Sequence, residues 1–187
     1  MSHKKDQRIL KSEKAIIEAG ISTLLANPSA GMSEIAEMAG VGRATLYRHF
    51  ESREALVRKL AIVCNEEIDD AIKPYEHLKG RALIEAIIDV TVPMANRFRF
   101  LVSLWSLVEE DEVIRHINKQ VQRDLYMLIE QAKKAGEIDK GLPTAWVVAF
   151  FDSTLDAAWI LENDDISTKD VAELVKKSFF RGCGNDR

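Results

Sequence analysis

Apolar residues recur at three- and four-residue steps along nearly the whole chain, a spacing that predicts helices. From Arg8 to Ala26 the series Ile9, Leu10, Ile16, Ile17, Ile21, Leu24 and Leu25 marks one amphipathic helix. Asn27-Pro28-Ser29 should end it, because proline disfavours helix in the residue before it. Two short patterns follow, Met32 to Ala39 and Arg43 to Phe50, separated by Gly40-Val41-Gly42. Ser52 then reads as the N-cap of a longer helix whose apolar positions Leu56, Leu60, Val63 and Ile68 carry it to about Pro74. Such a helix spans roughly 30 Å and can act as a connector.

Beyond Gly80 the periodicity stays helical. Residues 81–97 carry Leu83, Ile84, Ile87, Ile88 and Val92, with Pro93 placed to kink or divide the segment. The run FRFLVSLWSLV at 98–108 is apolar on most sides and is expected to be buried. A stripe from Val113 or Ile114 through Ile117, Val121, Leu125, Leu128 and Ala132 stops at Gly136, which fits a helix C′ position. Pro143 suits the first turn of the next helix, TAWVVAFFDSTLDAAWIL, which is apolar nearly all round. Ser167 with Asp170 resembles a capping box before a last amphipathic helix through Val171, Leu174, Val175, Ser178 and Phe179. No strand alternation with hairpin signals and no repeat interrupts this series. The expected fold class is all-α: a helix-turn-helix domain over residues 1–52, and over 53–187 a connector helix leading into a helical bundle.

Charge sharpens the division. The 187 residues are 47% apolar and 30% charged, with a net charge of −4. Residues 1–60 hold 10 Lys+Arg and 7 Asp+Glu, leaving +3, so the rest carries −7. The basic end therefore suits a polyanion. Residues 1–7 are polar and are expected to be unstructured, with Lys4, Lys5 and Arg8 available as an arm toward DNA. Cys64 and Cys183 stand far apart and read as reduced thiols. No run approaches a membrane span and no signal peptide is visible, so a cytoplasmic location is expected.

A glycine-containing turn between two short helices is the spacing of a helix-turn-helix, in which one helix braces and the second presents side chains to DNA. Here the second helix holds Arg43, Thr45, Tyr47, Arg48 and His49 within seven residues, a dense set of phosphate and base donors. Ile35, Ala36 and Ala39 are expected to be buried, with Val41 plugging the angle between the helices. Catalysis is not indicated. His3, His49, His77 and His116 are scattered without metal or triad spacing, and Gly40-Val41-Gly42 is too short for a phosphate-binding loop. The acidic run Glu109 to Glu112 suits a helix start. No enzyme activity, cofactor or metal is expected.

The runs Glu34-Ile35-Ala36, Ala39-Gly40-Val41, Thr45-Leu46-Tyr47-Arg48-His49-Phe50 and Ser52-Arg53-Glu54-Ala55-Leu56 together resemble the DNA-binding domain of the TetR (tetracycline-repressor-type) family, over roughly residues 9–60. The resemblance implies a homodimeric transcriptional regulator, most often a repressor, whose C-terminal body forms the dimer and often binds a small effector that releases double-stranded DNA. It implies that Arg43, Ala44 and Arg48 meet base edges, that Thr45, Tyr47 and His49 lie nearer phosphates, and that Arg53 touches the DNA backbone. Gly31 and Gly42 depart from the pattern, standing where the family usually has a hydroxyl residue. On this basis Arg43→Ala should alter sequence preference, whereas Arg53→Ala should weaken binding to all sequences alike.

Two heads must stand about 34 to 36 Å apart to enter successive major grooves of a palindromic operator. Residues 144–181 are the candidates for the interface that sets this distance, with Phe150, Leu155, Trp159, Leu174 and Phe179 as anchors, because a helix apolar on all faces needs cover on all faces. An effector pocket is expected among Met94, Phe98, Trp105, Tyr126, Phe151 and Trp159, with Asp89, Asn96, Ser103 and Asp152 as polar contacts. Asp152 and Asp156 lie one turn apart in an apolar helix, and a buried carboxylate needs a partner. They face solvent, bond across a dimer or meet a cationic ligand. The expected function is a repressor released by a small apolar or aromatic effector. The alternative is an architectural or cell-cycle DNA-binding protein of the same fold whose body binds a protein partner and no small molecule.

Overall fold

A computed structural model describes residues 2–104, 111–161 and 166–185, with side chains from residue 10 onward. The helices are α1 (Ser2–Ala26), α2 (Met32–Met38), α3 (Arg43–His49), α4 (Arg53–Ile72), α5 (Gly80–Thr91), α6 (Ala95–Ser103), α7 (Glu112–Ala135), α8 (Thr144–Ile160) and α9 (Thr168–Cys183). Single 3-10 turns hold the two prolines that break the pattern, at Lys73–Tyr75 and Val92–Met94. Among the described residues the one extended pairing outside helices is an isolated antiparallel bridge between Ile138 and Gly184. No helix among them is long and apolar enough to cross a membrane.

The expected unstructured tail is replaced by helix: α1 runs back to Ser2. Once a helix is nucleated, each added residue gains a hydrogen bond, and Lys, Gln and Arg extend it at low cost. The predicted break at Pro93 is present, and α6 ends at Ser103. Phe100 within it and Leu104 just past its end are buried while Arg99 and Ser103 are exposed, so this segment has a wet side. Trp105, Glu109 and Glu110 lie outside the described residues.

The chain folds as two compact units, residues 1–65 with 96–115 and residues 66–95 with 116–187. The first is centred on Ile16, Ile21, Leu24, Ile35, Leu46, Leu56, Leu60 and Phe100, all buried. Gly20 lets α1 approach α4 closely, since a Cβ there would stand 2.9 Å from Leu60 Cδ1. Arg97 on α6 forks onto the carboxylate of Glu18 on α1, one bond being 2.9 Å.

The second unit is built on Ile84, Ile88, Ile129, Phe151, Leu155 and Phe179. Phe179 meets the edges of Phe151 and Phe180 at centroid distances of 5.4 and 5.1 Å, a favoured aromatic geometry. Lys176 on α9 bonds Asp89 on α5 at 2.8 Å. The last helix starts as its sequence suggests: Ser167 Oγ accepts from the Asp170 amide at 3.2 Å.

Candidate DNA-binding interface

The local geometry of the head follows from its glycines. At the end of α2 the Gly40 amide donates to Glu37 O at 3.0 Å and the Val41 amide donates to Ala36 O at 3.0 Å. This pair of bonds is a Schellman motif, which requires left-handed backbone at its C′ residue, and Gly40 has φ +64°. Val41 is half-buried beside it. Gly42 is then the N-cap of α3, extended at φ −68° and ψ 147°, and accepts from Thr45 and Leu46 through its carbonyl. No side chain caps either α2 or α3, as the two departures from the family pattern foretell.

Leu46 is fully buried and Phe50 nearly so, which turns the other side of α3 outward. Arg43, Ala44, Tyr47 and Arg48 are all exposed. Residues at i, i+1, i+4 and i+5 share one face of a helix, so these four form a single outward surface. Tyr47 is 52% exposed, so its ring belongs to that surface and not to the core. Among the described residues no ion pair holds Arg43 or Arg48, leaving both guanidiniums available to an incoming acceptor.

The other three expected contacts are placed differently. Thr45 and His49 are half-buried on the flank of α3. His49 Nε2 lies 3.1 Å from Ser12 Oγ on α1. Arg53 is turned inward: Nε donates to Ala30 O at 3.0 Å and Nη2 donates to Pro28 O. Nothing in the local sequence distinguishes His49 and Arg53 from solvent-facing donors, because their partners lie 37 and 23 to 25 positions away.

In the body the expected pocket residues divide between the units. Phe98 is half-buried in the first; Met94, Tyr126, Phe151, Asp152 and Trp159 belong to the second. Phe151 and Trp159 are buried, Met94 is half-buried and Tyr126 is 47% exposed. Of the polar candidates, Asp89 is taken by Lys176, Ser103 Oγ donates to Phe100 O at 2.6 Å, and Asn96 is exposed. Asp152 is half-buried on α8, and its burial pushes the carboxyl up to about 6, against a hydrogen bond from Gln122 and with a smaller contribution from Asp156. Asp156 itself is exposed.

Three of the expected dimer anchors, Leu155, Trp159 and Phe179, are covered within the chain itself. Phe150 is half-buried and stacks on Phe179, with centroids 6.2 Å apart, and Leu174 is exposed. The outward face of α8 is carried by other residues: Trp146 at 62% and Ile160 at 78% exposure, together with the exposed Ala145, Ala149, Ser153 and Ala157. The four small residues at four-residue steps were the available signal.

Residues 28–60 match the family model described as bacterial regulatory proteins, tetR family. Over 174 residues the chain is 21% identical to the HTH-type transcriptional repressor LfrR of Mycolicibacterium smegmatis, covering 92% of this chain and 90% of that protein. A stretch of 58 residues is 47% identical to the uncharacterized HTH-type transcriptional regulator MT1294 of Mycobacterium tuberculosis, covering 27% of this chain and 29% of that one. The fold is similar to the crystal structure of LfrR in complex with proflavine, with a TM-score of 0.72 at 20% identity over 92% of this chain and 96% of that one. It is also similar to the ketosteroid transcriptional regulator KstR2 of Mycobacterium tuberculosis, with a TM-score of 0.75 at 14% identity over 91% and 94% of the two chains. Residues 28–60 thus carry the segment by which the tetR family of bacterial regulatory proteins is defined, and most of the chain shares its fold with LfrR and KstR2.

Proposed function

We propose that the protein is a sequence-specific DNA-binding transcriptional regulator, a repressor that acts as a homodimer on a palindromic operator and is released by a small apolar or aromatic effector. The exposed quartet Arg43, Ala44, Tyr47 and Arg48, set around the buried Leu46, carries this reading. An arginine fork pairs with the O6 and N7 acceptors of guanine, a small side chain admits close approach to a base edge, and a tyrosine hydroxyl suits a phosphate. The architectural alternative is not favoured, since LfrR, which aligns along most of the chain, is a transcriptional repressor.

The dimer is assigned to the outward face of α8 with Leu174 of α9. Large apolar groups exposed in a row mark an interaction surface, and small residues between them let two helices pack closely. The effector is assigned to the second unit, with Phe151 and Trp159 supplying aromatic surface and Asp152 a half-buried carboxylate that a cation would pair with. Release requires the effector to bind the DNA-incompetent state more tightly than the competent one.

Recovery of genomic fragments bound by the full-length protein tests the reading directly. The expected result is a palindrome with half-sites one helical turn apart, whose complex weakens when proflavine, a planar aromatic cation, is added. Recovery of fragments with no common sequence would sink it.

A further inference from the structure

Arg53 opens α4, where a basic side chain is expected to face the DNA backbone, yet its guanidinium is bonded to the head's own backbone. Nε donates to Ala30 O at 3.0 Å and Nη2 to Pro28 O, both carbonyls of the loop leading into α2. That loop needs an external hold. Its last residue before the helix, Gly31, has no side chain with which to cap α2. Its own bonds are local: the Ala30 amide donates to Asn27 O at 2.9 Å, and the Ser29 amide and hydroxyl donate to Asn27 Oδ1. The base of Arg53, by contrast, is firmly set. Ser52 Oγ accepts from the Ala55 amide at 3.1 Å, and Leu56 and Val57 are buried just beyond it.

We propose that Arg53 is a positioning residue for DNA binding, not a phosphate ligand: it clamps the α1–α2 loop to the start of α4 and so fixes the entry into α2. The Schellman turn at Gly40 and Val41 ties α2 to α3, so fixing the entry into α2 fixes the presentation of Arg43, Ala44, Tyr47 and Arg48. The planar fork is what the clamp uses, since its donors are held in one plane and reach two carbonyls together. A lysine keeps the charge and loses the fork. This inference rests on the reading of α3 as the DNA-binding helix.

The test compares full-length wild type, Arg53→Lys and Arg53→Met. Binding to a recovered genomic fragment is followed by fluorescence anisotropy across a salt titration, at a temperature where circular dichroism finds all three folded. A clamp predicts that both variants lose about tenfold in affinity, the worth of two hydrogen bonds, with the slope of log K against log salt unchanged. A phosphate contact predicts that lysine keeps wild-type affinity and that methionine flattens the slope by about 0.9. That result, or wild-type affinity in both variants, overturns the proposal. Hydrogen exchange of the free protein checks it without DNA: the Ala30, Glu34 and Ile35 amides should exchange faster in both variants, and unchanged rates overturn the clamp. A wild-type protein that binds no DNA would strike the functional reading instead, leaving the exchange result to decide the clamp.

Discussion

Arg58 and Asp111 are joined through one oxygen while the other does separate work. Nε and Nη2 of Arg58 lie 2.8 and 2.7 Å from Asp111 Oδ2, and Oδ1 accepts from the amides of Val113 and Ile114 at 2.9 and 3.2 Å. One carboxylate thus caps the start of α7 and holds α4, 53 positions away in sequence. The Arg58 hydrogen bond holds the Asp111 carboxyl below the usual carboxylate value of 3.8. Its contribution is therefore present above that value and is lost as the pH falls through the lowered one.

Asp111→Ala removes cap and pair together and is expected to cost about 1 to 2 kcal/mol, whereas Asp111→Asn keeps a capping oxygen and costs less. Urea unfolding at pH 7 checks the order of the two. The gap between wild type and Asp111→Asn should close on acidification below pH 3.8. An Asn variant as damaged as the Ala variant would show that the ion pair, not the cap, dominates.

Asp152 behaves in the opposite sense. Burial pushes its carboxyl up from 3.8 to about 6, so the folded protein holds this proton more tightly than the unfolded chain does. The stability it contributes is full below pH 3.8 and is lost as the pH rises through about 6. Asp152→Asn should therefore gain on wild type between pH 4 and pH 7 in denaturant melts. Under the proposed function the same variant should bind proflavine more weakly at pH 7. A parallel pH dependence of the two proteins would show that Asp152 is not the group responsible.

The turn between α2 and α3 offers two glycines with opposite expectations. Gly40 has φ +64°, so Gly40→Ala forces a Cβ into left-handed backbone and should cost about 1 to 2 kcal/mol. Gly42 is extended, and a Cβ there meets nothing within 4 Å. Gly42→Ser restores a capping hydroxyl to α3 and lowers the entropy of the unfolded chain, and should stabilise by about 0.5 to 1 kcal/mol. Thermal melts of the two variants should move in opposite directions.

On α8, Ile160→Glu puts a charge on the most exposed apolar residue of the outward face, where the side chain is 78% accessible in the single chain. Its fold should tolerate the change, because surface substitutions away from packed features stay within about 0.5 kcal/mol. The proposed homodimer should not tolerate it. Sedimentation at micromolar concentration is expected to give a dimer for wild type and a shift toward monomer for the variant.

The sequence was most legible where structure is local. The apolar stripes of α1, α4, α7 and α9, the break at Pro93 and the Ser167 cap all follow from residues within one or two turns of each other. So does the exposed face of α3, because burying Leu46 and Phe50 leaves Arg43, Ala44, Tyr47 and Arg48 no other direction. Long-range choices were hidden. Arg53 has the same neighbours in sequence whether it meets a phosphate or Ala30 O, and only the fold brings residues 28 to 30 within its reach. On α8, apolar character on every side concealed which side is covered: Leu155 and Trp159 are buried, whereas Trp146 and Ile160, equally hydrophobic, stay exposed.

The brevity of α2 and α3 carries a last consequence. Each is seven residues long and uncapped by any side chain, far short of the roughly 12 to 15 residues at which an isolated helix becomes even marginal in water. Residues 28–60, which carry the family likeness, are therefore not a portable module. Excised as a peptide, they would leave behind the α1 and α6 side chains, Ile16, Ile21 and Phe100, that complete their core. Any transplant of this specificity onto another protein has to carry the supporting helices with it.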